Sequence, residues 1–381
     1  MTSPISSSLH IYPIKSSAGI ALSNAWVDSY GFSFDRRFVV TDTSGQFITA
    51  RTEPSLCLVQ ANLTPTGLIL TAPNMPILEI NYGEFSQYYS EVTVWNDQIA
   101  SQHCHHDYDA WFSEYLGRSC QLHYFGKQST RRVKHSDKQL GFADGYPLLL
   151  ISQASLDDLN QRLGQDAVTM AQFRPNIVVA NTEPFAEDGW KKIRIGEVTF
   201  EVVKPCSRCV FTTVDPHSAK PHQAQQPLAT LKQYRQVASG DVMFGQNLIA
   251  LNQGQIKQGD DIEILATQDK PVFLSKASSE DNNVEKKPEF EVPKKVNILF
   301  DSWDKYHQGN SKEPILDQGE SAGLVLPYSC RGGMCGRCKL KLESGKVKQL
   351  ATDGLTDDEK AQGYILACSS IPQSDIVVSK G

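Results

Sequence analysis

A chain of 381 residues is longer than one hydrophobic core ordinarily serves, so two or three domains are expected, and a 40% apolar composition suffices to build them. Thirty-seven lysines and arginines against forty-three aspartates and glutamates give a net charge of -6, which excludes generic binding to nucleic acid or anionic membranes and leaves only local basic sites. The longest apolar run, 147–151, is far too short to span a bilayer, and residues 1–10 carry no signal segment. The expectation is a soluble, cytoplasmic protein whose nine cysteines stay reduced.

Along the chain, basic residues recur at the ends of apolar strands: Lys15-Ser16 after Ile11-Tyr12-Pro13, Asp35-Arg36-Arg37, Thr49-Ala50-Arg51 and Phe173-Arg174-Pro175-Asn176. Such residues serve as surface ion pairs or converge on a phosphate, and sequence alone does not choose. Period-two alternation at 91–95 (EVTVW) and 198–202 (VTFEV) predicts a barrel or sandwich rather than βαβ units. A helix is predicted at 107–117, with Tyr108, Trp111, Phe112, Tyr115 and Leu116 on one face and Gly117 as its stop. A second is predicted at about 152–164, burying Leu156, Leu159 and Leu163. His103-Cys104-His105-His106, just ahead of the first helix, reads as a solvated loop before it reads as a metal site.

In KPCSRCVFTTVDP at 204–216, Cys206 and Cys209 bracket Ser207-Arg208 directly after a strand. Thiols beside a cation suit a nucleophile, a redox pair or a soft-metal ligand, and the pair alone does not decide among them. Neither a G-x-G-x-x-G after a strand nor a P-loop occurs, so no dinucleotide site is indicated.

The polar, proline-bearing stretch 275–295 cannot bury enough apolar surface to fold alone and reads as a tether. At about twenty residues it would span roughly 25 Å and hold the next domain at on the order of millimolar effective concentration. Beyond it, Val296, Ile298 and Phe300 alternate as a strand, 339–347 reads as a hairpin around Ser344-Gly345, and Thr356 with Glu359 caps a short helix. Cys330, Cys335, Cys338 and Cys368 fall as C-x4-C-x2-C with the fourth after twenty-nine further residues, the plant-type spacing for a [2Fe-2S] cluster. Zinc knuckles come as paired C-x2-C units and do not match. From Lys295 onward eleven basic residues balance eleven acidic ones, yet Arg331, Arg337 and Lys339 crowd the cluster loop. That predicts a basic face meeting an acidic flavoprotein reductase as electron donor, the alternative being charges that only tune the cluster.

The ordered motifs IYPIKS, DRRF, TARTEP, PLLLISQASLDDLN, FRPNIV and CSRCVFTTVDP resemble the MOSC family, in the manner of the mitochondrial amidoxime-reducing component. PYSCRGGMCGRCKL and LTDDEKAQGYILACSSIP are similar to plant-type ferredoxin domains, and the fusion resembles the bacterial YcbX-type proteins. The resemblance implies a mainly β fold with α (α+β). An N-terminal MOSC β-barrel domain would span 1–118, the MOSC β-barrel domain 119–266, a linker 267–294 and a β-grasp ferredoxin domain 295–381. It implies a molybdenum cofactor (Mo-molybdopterin) beside the [2Fe-2S] cluster, with Cys209 completing the metal's coordination and Cys206 structural. Lys15, Ser16, Arg36, Arg174, Asn176 and Ser207 would bind the pterin and its phosphate, which guanidinium forks, an ammonium and hydroxyls suit chemically. Asp144 is retained in the pattern, while Asp144-Gly145-Tyr146 lacks the hydroxyl pair of the mitochondrial relatives.

The resulting expectation is an oxidoreductase in which the cluster relays single electrons to molybdenum, where N-hydroxylated compounds such as hydroxylamines, amidoximes and N-hydroxylated base analogues are reduced. The rival expectations are a sulfur or molybdenum-cofactor carrier using Cys209, and an electron-transfer module without substrate turnover.

Overall fold

Side-chain alternation accounts for many of the strands: Val198–Ser207 turns Val198, Phe200 and Val202 inward, and Lys295–Phe300 buries Val296, Ile298 and Phe300. The computed structural model describes residues 3–274, 295–328, 333, 336–350, 352 and 354–381. It divides into two units, one of residues 1–235 and 242–272, the other of 236–241 and 273–381.

In the first unit, an eight-stranded sheet runs in the order Ile262–Thr267, Trp190–Ile195, Val198–Ser207, Met243–Ala250, Leu148–Ser152, Ile177–Ala180, Ile5–Ile11, Ile20–Leu22. It curls toward closure, because Ile5 bridges Asp261 just before the opposite edge strand. Leu9, Ile11, Leu148, Leu150, Phe200 and Leu248 fill its core. A four-stranded sheet, in the order Phe38–Asp42, Cys120–Tyr124, Asp97–His103, Tyr89–Val94, and a meander of Gln60–Thr64, Gly67–Thr71 and Leu78–Asn81 enclose another core of Ile14, Phe38, Val40, Leu68, Trp111 and Phe112.

Both predicted helices form. Helix α1, His106–Leu116, buries Tyr108, Trp111 and Phe112, carries Asp107 and Asp109 in its first turn, and ends at left-handed Gly117. Helix α2, Gln153–Leu163, is capped by Ser152, whose hydroxyl accepts from the Ser155 N–H, and buries Leu156, Leu159 and Leu163.

Two expectations are corrected. The strands flanking α2, Leu148–Ser152 and Ile177–Ala180, pair parallel, so the fold does contain one βαβ unit. The apolar stripe of α2 packs with Leu149, Ile151 and Phe173 over one face of the sheet, and a strand covered on both faces reads as a continuous apolar run rather than an alternation. In the second unit, Lys339–Ser344 does not form a hairpin with Val347–Gln349. It pairs with Tyr364–Leu366 and Ile376–Lys380, whereas Val347–Gln349 pairs with Ser370–Pro372. Gly345, at φ +92°, lies so close to the Asp375 carbonyl that a Cβ there would come within 2.2 Å of it, and at this point the chain leaves the sheet.

The second unit is otherwise a five-stranded mixed sheet in the order Lys305–Asn310, Lys295–Phe300, Ile376–Lys380, Lys339–Ser344, Tyr364–Leu366. The helix Ile315–Ser321 packs on it through Ile315 and Leu316. The short helix Asp357–Ala361 forms with the reciprocal Thr356–Glu359 capping box. The tether falls on residues outside those described, apart from Lys295 at its end. No helix among the described residues is long and apolar enough to cross a membrane.

Candidate functional site

Short segments lash one part of the first unit to the other. The Lys15 N–H donates to Phe38 O at 2.8 Å, the Arg36 N–H to Tyr12 O at 2.8 Å, the Phe142 N–H to Arg36 O at 2.9 Å, and the Asn176 N–H to Leu149 O at 2.8 Å. Three residues in these segments, Ser16 (φ 73°), Arg36 (φ 46°) and Arg174 (φ 56°), are left-handed without being glycine. That conformation costs a side-chain-bearing residue energy and collects at functional sites.

The side chains form two cationic groups, joined through the backbone of Arg36 and Phe142. Arg36 and Arg174 both stack on Tyr12, with guanidinium carbons 4.3 and 4.1 Å from the ring centroid. Arg36 donates to Asp35 (2.6 Å), to Asn176 Oδ1 (3.1 Å) and to Arg174 O (3.2 Å), and Arg174 donates to Ser17 O. Asn176, buried, uses its amide to reach His10 O and accepts from the Leu149 N–H. Lys15 donates to Phe142 O at 2.7 Å and Asp144 Oδ1 at 2.5 Å.

Cys209 enters from the bulged end of Val198–Ser207. The ladder to Met243–Ala250 shifts register between Val202 and Lys204 and again between Pro205 and Ser207, where Pro205 has no N–H to give. The loop then turns into a single 3-10 turn, Val210–Thr213, with Cys209 at its N-cap. Arg51 Nε lies 3.3 Å from Cys209 Sγ, and its Nη2 donates to Asp144 at 2.9 Å while its face covers the Trp95 ring. Arg208 donates to Cys206 Sγ at 3.1 Å and Phe173 O at 2.7 Å, but its buried Nε has no partner.

Electrostatics mark this cluster as short of negative charge. Five cations, Lys15, Arg36, Arg51, Arg174 and Arg208, face two carboxylates, Asp35 and Asp144, an excess of three. Burial draws Lys15 down to about 8 despite Asp144 beside it, and burial together with Arg36 draws Arg174 down to about 10. Burial pushes Asp35 up, partly offset by Arg36. At Asp144 burial is outweighed by Lys15 and Arg51, which hold the half-exposed carboxyl well below its usual range. A cluster with surplus cationic charge, an orphaned Arg208 N–H and a cysteine sulfur suits an anionic, phosphate-bearing group that also offers a soft metal.

Of the residues singled out from sequence, Arg36, Arg174 and Asn176 meet around Tyr12, Lys15 meets Asp144 in the group that ends at Cys209, and Ser16 and Ser207 lie in the segments that carry the two groups. Sequence reasoning noted Arg51 among the basic strand ends and Arg208 beside the thiols without assigning either to the site, left Trp95 out and passed over Arg131 altogether. Arg131 is buried and donates to the carbonyls of Gly141 (2.9 Å), Ala143 (2.5 Å) and Asp144 (3.1 Å), while Asp97 anchors its Nε at 2.7 Å. The available signals were TARTEP and the tryptophan ending EVTVW, each at a strand end. The histidine run does not join the site: Cys104 sits in a hydrophobic core, and His103 pairs with Asp109 at 2.7 Å.

In the second unit, Cys338 and Cys368 are buried side by side. The Cys368 N–H points at Cys338 Sγ (3.4 Å) and the Gly333 N–H at Cys368 Sγ (3.3 Å), the donor arrangement that iron-bound thiolates receive. Cys330 and Cys335 lie outside the described residues, as does Arg331. The expected basic face is reduced, because Lys339 pairs with Glu359, leaving Arg337 exposed.

Residues 4–119 match the MOSC N-terminal beta barrel domain, 137–263 the MOSC domain and 306–373 the 2Fe-2S iron-sulfur cluster binding domain. Together these define a molybdenum-cofactor protein carrying its own [2Fe-2S] domain. The chain belongs to the MOSC family, as a fusion with a ferredoxin-type domain. It is 34% identical to mitochondrial amidoxime-reducing component 1 of Mus musculus over 68% of this chain and 81% of that one. For the Homo sapiens protein of that name the identity is 32%, over 68% and 82%. It is also 30% identical to a molybdenum cofactor sulfurase of Oryza sativa subsp. japonica, over 66% of this chain and 33% of that one.

Proposed function

We propose that this protein reduces N-hydroxylated compounds at a molybdenum cofactor held by Cys209, with electrons that a flavoprotein reductase delivers through the chain's own [2Fe-2S] cluster. The observation that carries the reading is the cluster with surplus cationic charge, ending at the Cys209 sulfur. Relatives named for amidoxime reduction supply the substrate class. Lys15, Ser16, Arg36, Arg174, Asn176 and Ser207 hold the pterin and its phosphate, and Cys209 provides the thiolate. Bound there, the cofactor would supply a metal able to take up two electrons singly and deliver both to an N–O bond, two protons drawn from water completing the amine or amidine and the oxygen leaving as water. Asp144, kept ionised by Lys15 and Arg51, is an acceptor that orients an N–H or O–H of the substrate and does not donate the proton. Cys338 and Cys368, with Cys330 and Cys335, ligate the cluster that passes the electrons on.

The test is metal analysis together with amidoxime turnover, using protein from hosts that can and cannot make the cofactor. Cys209→Ser is expected to abolish turnover and Cys206→Ser to retain part of it. Cys206 essential with Cys209 dispensable would refute the assignment. Turnover lacking in protein with full iron and molybdenum would favour the carrier role suggested by the sulfurase likeness.

A further inference from the structure

We infer that Arg51 is a positioning residue that tunes the metal through the Cys209 sulfur, making it easier to reduce. The inference rests on the proposed placement of molybdenum at Cys209, and its own basis is the way this guanidinium is held. Its Nε is aimed at Cys209 Sγ at 3.3 Å, its Nη2 is fixed by Asp144 at 2.9 Å, and its face lies on the Trp95 ring at 4.7 Å from the centroid. Only 6% of the side chain is exposed. Asp144 is in turn fixed by Trp95 Nε1 at 3.1 Å and by Lys15, while Arg131 grips the carbonyls of the loop from behind.

An arginine held at three points cannot swing away when the sulfur changes its bonding partner, so the N–H directed at the sulfur persists. A hydrogen bond to a ligand sulfur withdraws electron density from the metal and favours its more electron-rich state. Lysine is no substitute, since a point charge cannot serve the sulfur, the carboxylate and the ring together. Arg51 belongs to the N-terminal barrel match and Cys209 to the MOSC match, so one domain adjusts the metal that the other ligates.

The experiment is potentiometric titration of the Mo(V) paramagnetic signal in holoprotein, with molybdenum content measured in parallel. Arg51→Gln and Arg51→Lys are expected to retain molybdenum, to show a lower midpoint for the couple below Mo(V), and to shift the g-values. Asp144→Asn, which leaves the guanidinium but removes its anchor, is expected to move the midpoint the same way by less. A wild-type midpoint in loaded Arg51 variants would overturn the proposal. If neither Arg51 variant loads, Asp144→Asn decides: a lowered midpoint supports the proposal and an unchanged one overturns it. Loss of molybdenum from all three variants also overturns it, by making the group an anchor for the cofactor. Wild-type protein without molybdenum, or Cys209→Ser with an unaltered Mo(V) signal, would instead refute the placement of the metal at Cys209.

Discussion

His123 lies in the middle of the four-stranded sheet, on Cys120–Tyr124 between Val39 and His103, with 1% of its surface exposed. Neither ring nitrogen makes a hydrogen bond of good geometry, and the His103 ring sits 5.8 Å away. Burial, and secondarily His103, pull its pKa from 6.5 down to about 4, with only weak compensation from the Ser101 backbone. The folded ring therefore stays neutral while the unfolded one takes up a proton below its ordinary value. A depressed folded-state pKa gives stability that is complete above the unfolded value and drains away as the pH falls toward the folded one. Between pH 7 and pH 5 this linkage removes about 2 kcal/mol. Carboxylates add their own dependence, so the measurement is a difference: urea unfolding of wild type and His123→Leu at both pH values, followed by tryptophan fluorescence, Trp111 lying in a core of the same unit. Wild type is expected to lose about 2 kcal/mol more than the variant over that interval. Parallel losses in the two proteins would refute the reasoning.

Other consequences follow from single contacts. Arg36→Ala and Arg174→Ala each remove charged donors from the cationic cluster and are expected to lower cofactor affinity about tenfold or more, read as molybdenum per protein; full occupancy in both would make them structural cations. Cys338→Ser and Cys368→Ser are expected to abolish or strongly alter the [2Fe-2S] absorption, and anaerobically purified protein holding zinc without labile sulfide would end that assignment. Asp188, almost wholly buried, accepts a fork from Arg235 at 2.7 and 3.0 Å and a third bond from Gln246 at 2.6 Å. Asp188→Ala deprives a buried guanidinium of its carboxylate and is expected to cost about 3–5 kcal/mol in denaturant unfolding, a loss under 1 kcal/mol being the contrary result.

Much of this was legible because the chemistry was local. Four cysteines at fixed spacing announce a cluster loop, and two cysteines around an arginine announce a reactive turn, with no knowledge of the rest of the chain. The helices were readable from their caps and apolar stripes, as at Ser152 and Gly117. The βαβ unit escaped because the doubly covered strand Leu148–Ser152 has no alternation to betray it. Trp95 and Arg131, and the role of Arg51 at Cys209, escaped for another reason. What makes them matter is the meeting of residues 51, 95, 131, 144 and 209, and the left-handed backbone that turns Trp95 toward Asp144 leaves no mark in composition.

The clamp that Arg131 places on the carbonyls of Gly141, Ala143 and Asp144 separates two things that loops usually confound. Behind the clamp, position is fixed by backbone contacts indifferent to side-chain identity. Ahead of it, a Cβ added at Gly145 would meet nothing within 4 Å, and no left-handed conformation demands a glycine there. The residue next to Asp144 can therefore carry a side chain without displacing the carboxylate. The hold on the carboxylate and the open space beside it are thus set by different atoms of one loop.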